Sequence, residues 1–324
     1  MKFFQLALIM LCVVSCQDGK ESANTSKTAS VDYSQDTIQP VIPEILSKFK
    51  SIRDFTINGV EDEAYFTLQS PLNEISVIMK LSKSENGWSS PEMASFSGRY
   101  SDLEPFFSPD YLRLYFSSNR PVSKDSSNIK DFDIWYVERS SVMEEWSQPV
   151  NVGTPVNTKA DEFYPAITLS KSLYFTAITE ETGPGDDIFV STWNGNRYET
   201  PKQLSDSINT KGAEFNAYVS PDESYILFGG WRRPDGIGAG DIYISEKKNG
   251  IWQKAKNLGI PLNSENTDYC PFVNTETNTL YFTSRRSGLK GQTLDFKILK
   301  SCLESLTVMM MAQVKSIKQT LRGF

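Results

Sequence analysis

Asp102-Leu-Glu-Pro-Phe-Phe-Ser-Pro-Asp110, then Leu114-Tyr-Phe-Ser-Ser-Asn-Arg120, then Asp133-Ile-Trp-Tyr136: this run decides the fold, because the chain writes it several times over. Its opening returns as Asp161-Glu-Phe-Tyr-Pro-Ala-Ile-Thr-Leu-Ser170, as Ala213-Glu-Phe-Asn-Ala-Tyr-Val-Ser-Pro-Asp222 and as Thr267-Asp-Tyr-Cys-Pro-Phe-Val-Asn274. An aromatic strand core follows each: Tyr115-Phe116, Tyr174-Phe175, Leu227-Phe228 and Tyr281-Phe282. Asp133, Asp187 and Asp241, each before an Ile, stand 54 residues apart. Trp146, Tyr198 and Trp252 trail them in step. A degenerate earlier copy has Tyr65-Phe66, then Ile75 to Met79, then Trp88, which brings the copies to five. A period of this length marks an array of small supersecondary units.

Each copy holds about four short runs of β-branched and aromatic residues with polar alternation, and no helical period competes. Ser220-Pro-Asp-Glu223 is a tight turn, since Pro presets φ and Asp caps its own turn. Asn249-Gly250 and Asn194-Gly195 are hairpin signals at matching places. Four antiparallel strands per unit make the blade of a β-propeller, so the chain reads as all-β. A lone blade cannot bury both faces. Radial stacking does so, and the recurring Phe, Tyr and Trp are its packing.

The pattern Asp-x-x-Pro-x-Phe-Ser-Pro-Asp, Leu-Tyr-Phe-x-Ser-x-Arg, Asp-Ile-Trp/Tyr resembles the WD40-like propeller repeat of TolB-type proteins, most closely over residues 102–136. The resemblance covers about residues 52–290 and implies a propeller. That family includes periplasmic binding and docking modules and the propeller halves of some peptidases. Six blades are usual in it, against the five copies counted here.

Residues 1–15 carry one basic residue and an apolar run too short for a comfortable membrane span, the pattern of a secretory signal. The signal ends Val13-Val14-Ser15-Cys16, which resembles a bacterial lipobox, with Cys16 as the diacylated new N-terminus. Several acyl chains give a durable anchor. The expected location is therefore the bacterial cell envelope, on a membrane facing the periplasm or the outside. Residues 16–45, rich in Ser, Thr, Asp, Gln and Lys, read as a flexible tether. The propeller is expected over 46–290. The tail 291–324 departs from the repeat: no Asp-Ile-Tyr strand follows Gly288, and Leu303, Leu306, Met310, Val314, Ile317 and Leu321 fit one face of a helix. On that reading the last blade is incomplete.

Composition excludes much. The formal charge is −7 with no basic stripe, which argues against nucleic acid. With no histidine in the sequence, Ser-His-Asp and Cys-His nucleophiles and His-built zinc sites fall away. Carboxylate pairs and oxygen-liganded calcium stay open; Asp131, Asp133, Asp186 and Asp187 are calcium candidates, but their repeat positions favour turns. Cys270, in an apolar strand, reads as a buried free thiol.

In a hairpin the start of one strand and the end of the next share a side. Asp102, Glu104, Asp161, Glu162, Glu214 and Asp268 should therefore crowd one rim with Arg120, Arg232, Arg233, Arg285 and Arg286, where the long loops also leave. Recurrence makes the acids structural ties between blades. Trp231, Arg232, Arg233 and Asp235, unique to one blade, are the better ligand-binding candidates, joined by Arg120, Arg285 and Arg286. Gly236-Ile-Gly-Ala-Gly240 has the glycines of a phosphate loop but is followed by a strand, not a helix. The expected function is a lipid-anchored module binding an envelope protein, peptide or glycan on one rim, with no cofactor and no catalysis. The alternative is a carboxylate- or calcium-dependent glycan-active enzyme, which a carboxylate pair in the central channel would favour.

Overall fold

The computed structural model describes residues 38–123, 129–179, 185–286 and 310–315. They form five antiparallel sheets, one per repeat. The innermost strands are Ile52–Ile57, Asp102–Phe107, Asp161–Ile167, Ala213–Val219 and Asp268–Asn274. Each innermost strand touches the next, and the fifth touches the first, so the sheets close into a five-bladed propeller. The second strands hold the aromatic cores the repeat predicts. Tyr65, Phe66, Phe116, Phe175, Phe228 and Phe282 are buried.

Every innermost strand carries a register shift near its start. At that shift Asp54, Glu104, Tyr164, Asn216 and Cys270 take left-handed φ angles of 60°, 63°, 49°, 54° and 52°. Non-glycine residues persist there only where the surroundings hold them. Just beyond the shift, Phe106, Tyr218 and Phe272 from blades 2, 4 and 5 meet with ring centroids 5.6–6.1 Å apart. Blades that are not neighbours thus pack on one another, and the axis is core rather than pore.

A second tie escaped sequence reading. Asn157, Asn209 and Asn263 each accept from the backbone N–H, and donate to the backbone C=O, of the Ile after the repeat aspartate: Ile134, Ile188 and Ile242. One side chain thereby pins the third strand to the loop that enters the next blade.

Two expectations at the ends need correction. Met310–Lys315 is not helical; it is the third strand of the last blade, in register from Thr279↔Lys315 to Ser284↔Met310. The neighbouring strand would otherwise present a row of unpaired backbone groups, and a six-residue segment satisfies them best by pairing. Nor are residues 39–45 part of a tether. Gln39–Pro40 forms the outer strand of the same blade, with Gln39↔Gln313 and Pro40↔Ala312. The Val41 amide donates to the Met311 carbonyl at 2.9 Å, and Val41 and Leu46 are buried. The last blade is therefore complete, built from both ends of the described chain. The predicted signal, Cys16, the tether up to residue 37, Cys302 and the rest of the tail lie outside the described residues.

Candidate functional site

Three regions compete for function: the rim singled out from sequence, the polar cluster at the axis, and a cavity between blades 2 and 3.

On the first rim most predicted cations are already taken. Arg120 is buried; its Nη2 donates to Asp102 at 2.5 Å and to the Phe96 carbonyl at 3.0 Å, its Nε to Ser118 at 2.9 Å. Arg286 repeats this with Asp268 at 2.8 Å, Ser284 at 2.8 Å and the carbonyls of Pro261 and Leu262. Arg233 lies 3.5 Å from Glu214 and 4.3 Å over the Tyr243 ring. These ties join the first strand of a blade to the end of its own second strand. These three run within blades, where the sequence suggested ties between them; Glu104, held by Arg53 of blade 1, and Asp161, which accepts the Phe132 amide of blade 2, do cross between blades. Asp235 accepts the Tyr243 hydroxyl at 2.9 Å. Trp231 stays 39% exposed with the Arg232 guanidinium 5.5 Å over its ring, and Arg285 is exposed beside Tyr269.

The glycine loop is closed to phosphate: the Ile237 and Gly238 amides already donate to Asp241. Gly238 is a glycine because a Cβ would meet the Asn266 carbonyl oxygen of the next blade at 1.9 Å. Of the calcium candidates, Asp131 and Asp133 are engaged, and Asp187 accepts from Gln203 on one oxygen while its other oxygen is buried with no hydrogen-bond partner among the described residues. Lys130 Nζ sits 2.9 Å from Asp131 and 2.6 Å from Asp133, and Asn151 donates to Asp133. Among the described residues no group of three or more acids or cysteines is arranged to hold a metal ion.

At the axis three of the left-handed residues, Asp54, Glu104 and Cys270, gather around one arginine. Arg53 Nε contacts Asp54 at 2.8 Å, and its Nη2 contacts Glu104 at 2.9 Å and the Cys270 sulfur at 3.7 Å. The other Glu104 oxygen accepts the Tyr164 amide at 2.7 Å and the Ser117 hydroxyl at 3.1 Å. One guanidinium thus serves two buried carboxylates. Burial pushes the Glu104 carboxyl up to about 7, against the pull of Arg53 and with the charge of Asp54 adding to the rise. Burial also lifts the Cys270 thiol well above its usual range, so a thiolate is disfavoured. The thiol is buried and free, as read from the sequence. A carboxylate pair does converge here. Both acids, however, are held by Arg53, and the aromatic plug lies just beyond them, so the arrangement has the character of a support for the strained bulges.

The third region lies on the opposite rim. Between blades 2 and 3 a cavity of about 670 Å³ opens to solvent. Its walls come from the Ser108–Arg113 turn, the ends of third strands near Glu138 and Trp193, the turn at Lys171 and the hairpin carrying Arg197 and Tyr198. Arg113 lies 4.8 Å over the Tyr136 ring and 2.9 Å from Glu138. Trp193 meets Tyr198 edge-on with centroids 5.1 Å apart. Leu169, at the mouth, is 68% exposed. Sequence reading missed this site because none of its residues belongs to the recurring acid–arginine pattern. The available signal was Lys171, a cation at a turn where two other blades carry Glu61 and Glu223.

No protein-family model matches the chain, and no curated protein does. Solved structures do resemble it. TolB from Acinetobacter baumannii is 15% identical with a TM-score of 0.47, over 82% of this chain and 55% of that one. The structure of putative TolB from Agrobacterium tumefaciens is 13% identical with a TM-score of 0.47, over 76% and 74%. α-L-Arabinofuranosidase from Lactobacillus brevis is 14% identical with a TM-score of 0.48, over 83% and 94%. The chain spans just over half the length of the first of these. At such identities the likeness is one of propeller fold. No helix among the described residues is long and apolar enough to cross a membrane.

Proposed function

We propose that this chain is a binding module of the bacterial cell envelope, held to a membrane through lipidated Cys16, and that it docks a protein or peptide segment in the groove between blades 2 and 3 without chemistry. The observation that carries this is the groove itself. It is the cavity where half-buried aromatic side chains meet exposed apolar and cationic ones on a rigid scaffold, whereas Arg120, Arg233 and Arg286 of the other rim are paired with acids, and the acids of the axis with Arg53. Mixed charge with apolar contacts suits a polypeptide. A sugar needs an uncovered aromatic face, and here Arg113 covers Tyr136 while Trp193 abuts Tyr198.

The test is affinity capture from an envelope extract with a soluble form lacking Cys16, set against Asn196→Trp, which places a bulky ring at the mouth of the groove on an exposed hairpin. The expected result is a specific protein caught by the parent and lost by the variant. If Trp231→Ala abolishes capture and Asn196→Trp does not, docking belongs to the Trp231–Arg232 rim instead. Turnover of a polysaccharide that Glu104→Gln abolishes would replace the binding reading with the enzymatic one. For the anchor, Cys16→Ser should move the protein from the membrane fraction to the soluble fraction and remove fatty-acid label.

A further inference from the structure

Three blade interfaces on the groove side carry the same small device. A tyrosine of one blade's second strand gives its hydroxyl to a carboxylate. Tyr65 donates to Glu63 at 2.8 Å; Arg139 of blade 2 grips both oxygens of that acid at 3.1 and 2.8 Å, and the Trp146 indole donates to the tyrosine at 2.7 Å. Tyr174 donates to Glu223 at 2.9 Å, with Lys247 at 2.7 Å from that acid and Trp252 edge-on to the tyrosine. Tyr281 donates to Glu61 at 2.9 Å. The carboxylate comes from one of two places. It stands two residues before the tyrosine, as in Glu63, or at the left-handed residue of the next blade's turn, as in Glu61 and Glu223, both at φ 58°.

Between blades 2 and 3 the tyrosine is Tyr115, and both acid positions are cations. Arg113 stands two residues before it, and Lys171, at φ 64°, is the left-handed turn residue. Tyr198, on the wall of the groove with Tyr115, holds the place of Trp146 and Trp252, and Trp193 that of Arg139 and Lys247. Arg113 keeps a partner in Glu138 on the open side. Lys171 and Arg197 form no ion pair among the described residues. Tyrosine and cations are thus assembled where the repeat elsewhere places an acid, and the acid is missing; the cavity occupies that place.

We infer that the groove is a carboxylate receptor: a glutamate or aspartate side chain of the docked segment occupies the place that Glu61, Glu63 and Glu223 fill in the other interfaces. This rests on the groove being the docking site proposed above. The ligand carboxylate accepts from the tyrosine hydroxyls and the Lys171 ammonium, with Arg197 near enough on the same wall to take a second acid. Since the chain carries a net charge of −7, the attraction is local to this groove and must weaken with salt.

The inference is tested with the full chain, by calorimetric titration of acetylated tetraglutamate amide, of tetraglutamine amide and of tetragalacturonate, at low and high salt. Tetraglutamate should bind, with affinity falling as salt rises, and tetraglutamine should bind at least about tenfold more weakly. Lys171→Glu should abolish tetraglutamate binding without lowering Tm, because glutamate already folds at this turn in two other blades; Lys171→Gln should fall between. Arg197→Glu, on an exposed hairpin, provides a second variant of the same sign should the first fold poorly. Equal binding of the two peptides, or an unchanged affinity in Lys171→Glu and Arg197→Glu, overturns the inference. Preference for tetragalacturonate overturns the commitment to a protein ligand. If neither peptide binds while Asn196→Trp still loses its captured protein, the groove remains a docking site and only its carboxylate chemistry falls.

Discussion

Glu162 shows what the repeat loses when one partner is absent. Asp102, Glu214 and Asp268, at the starts of their first strands, each sit on an arginine. Glu162, in blade 3, keeps its loop contacts through the Thr158 amide at 3.1 Å and the Thr158 hydroxyl at 2.6 Å, but no arginine faces it among the described residues. Burial pushes its carboxyl from 4.5 up to about 7, despite those hydrogen bonds, with the charges of Asp133 and Asp131 adding to the rise. A folded-state value above the unfolded one means the fold holds the proton longer. The stability linked to that proton is complete below about pH 4.5 and is lost as pH rises through about 7. Glu162→Gln should remove that loss. Urea midpoints of the parent and the variant should diverge between pH 5 and 8, the parent falling by comparison; parallel curves would refute the assignment. Glu104, raised in the same direction, is present in both proteins and cancels. The recurring acids were legible in sequence as structural. Their direction was not, because a hairpin brings acid and arginine to one rim without saying whether they meet in one blade or across two.

At the scale of elements, the closing blade is where the repeat stops being readable. Its third strand has no aspartate–isoleucine signature. It pairs through backbone groups along six register positions, and Met311, Ala312 and Val314 are buried in it. Backbone pairing leaves little trace in side-chain pattern, and over so short a stretch the spacing of Met310 and Val314 suits a helix as well as a strand. The open edge of the neighbouring strand decides. The three middle blades were legible because their aromatic cores, turns and aspartates recur in step, and the degenerate first blade because it keeps the aromatic core. The outer strand Gln39–Pro40 was hidden for the same reason as the tail: two residues in a polar run carry no period. The closure has a measurable consequence. A form beginning at residue 48 loses the outer strand together with buried Val41 and Leu46, each worth about 1.5–3 kcal/mol of burial. It should unfold at clearly lower urea than a form beginning at residue 38, with hydrogen exchange quickened first in Met310–Lys315. Equal midpoints would mean that the amino-terminal strand does not close the ring.

Over the whole molecule the blade interfaces differ in how firmly they are tied, and the proposed docking groove lies at a loose one. Between blades 1 and 2, Arg139 has a side chain only 2% exposed, holds both Glu63 oxygens, donates to the Tyr111 carbonyl at 3.1 Å and lies 4.1 Å over Trp146. Between blades 2 and 3, Arg113 has a side chain 44% exposed, and its partner Glu138 belongs to its own blade. Removing one member of a buried pair leaves the other charged and unmatched, at a cost of about 3–5 kcal/mol, whereas an exposed pair contributes about 0–1 kcal/mol. Arg139→Met should therefore destabilise the ring by several kcal/mol and Arg113→Met by less than about 1 kcal/mol, read as urea midpoints at constant m. The axial cluster of Phe106, Tyr218 and Phe272 is untouched by either change, so the loss belongs to the interface and not to the core. A large loss from Arg113→Met would show that blades 2 and 3 depend on that arginine for their own cohesion, and that its charge is not free for a ligand. A small loss, with weaker binding of an acidic segment, separates the two roles: one interface holds the ring together, and the next leaves its cations to a partner.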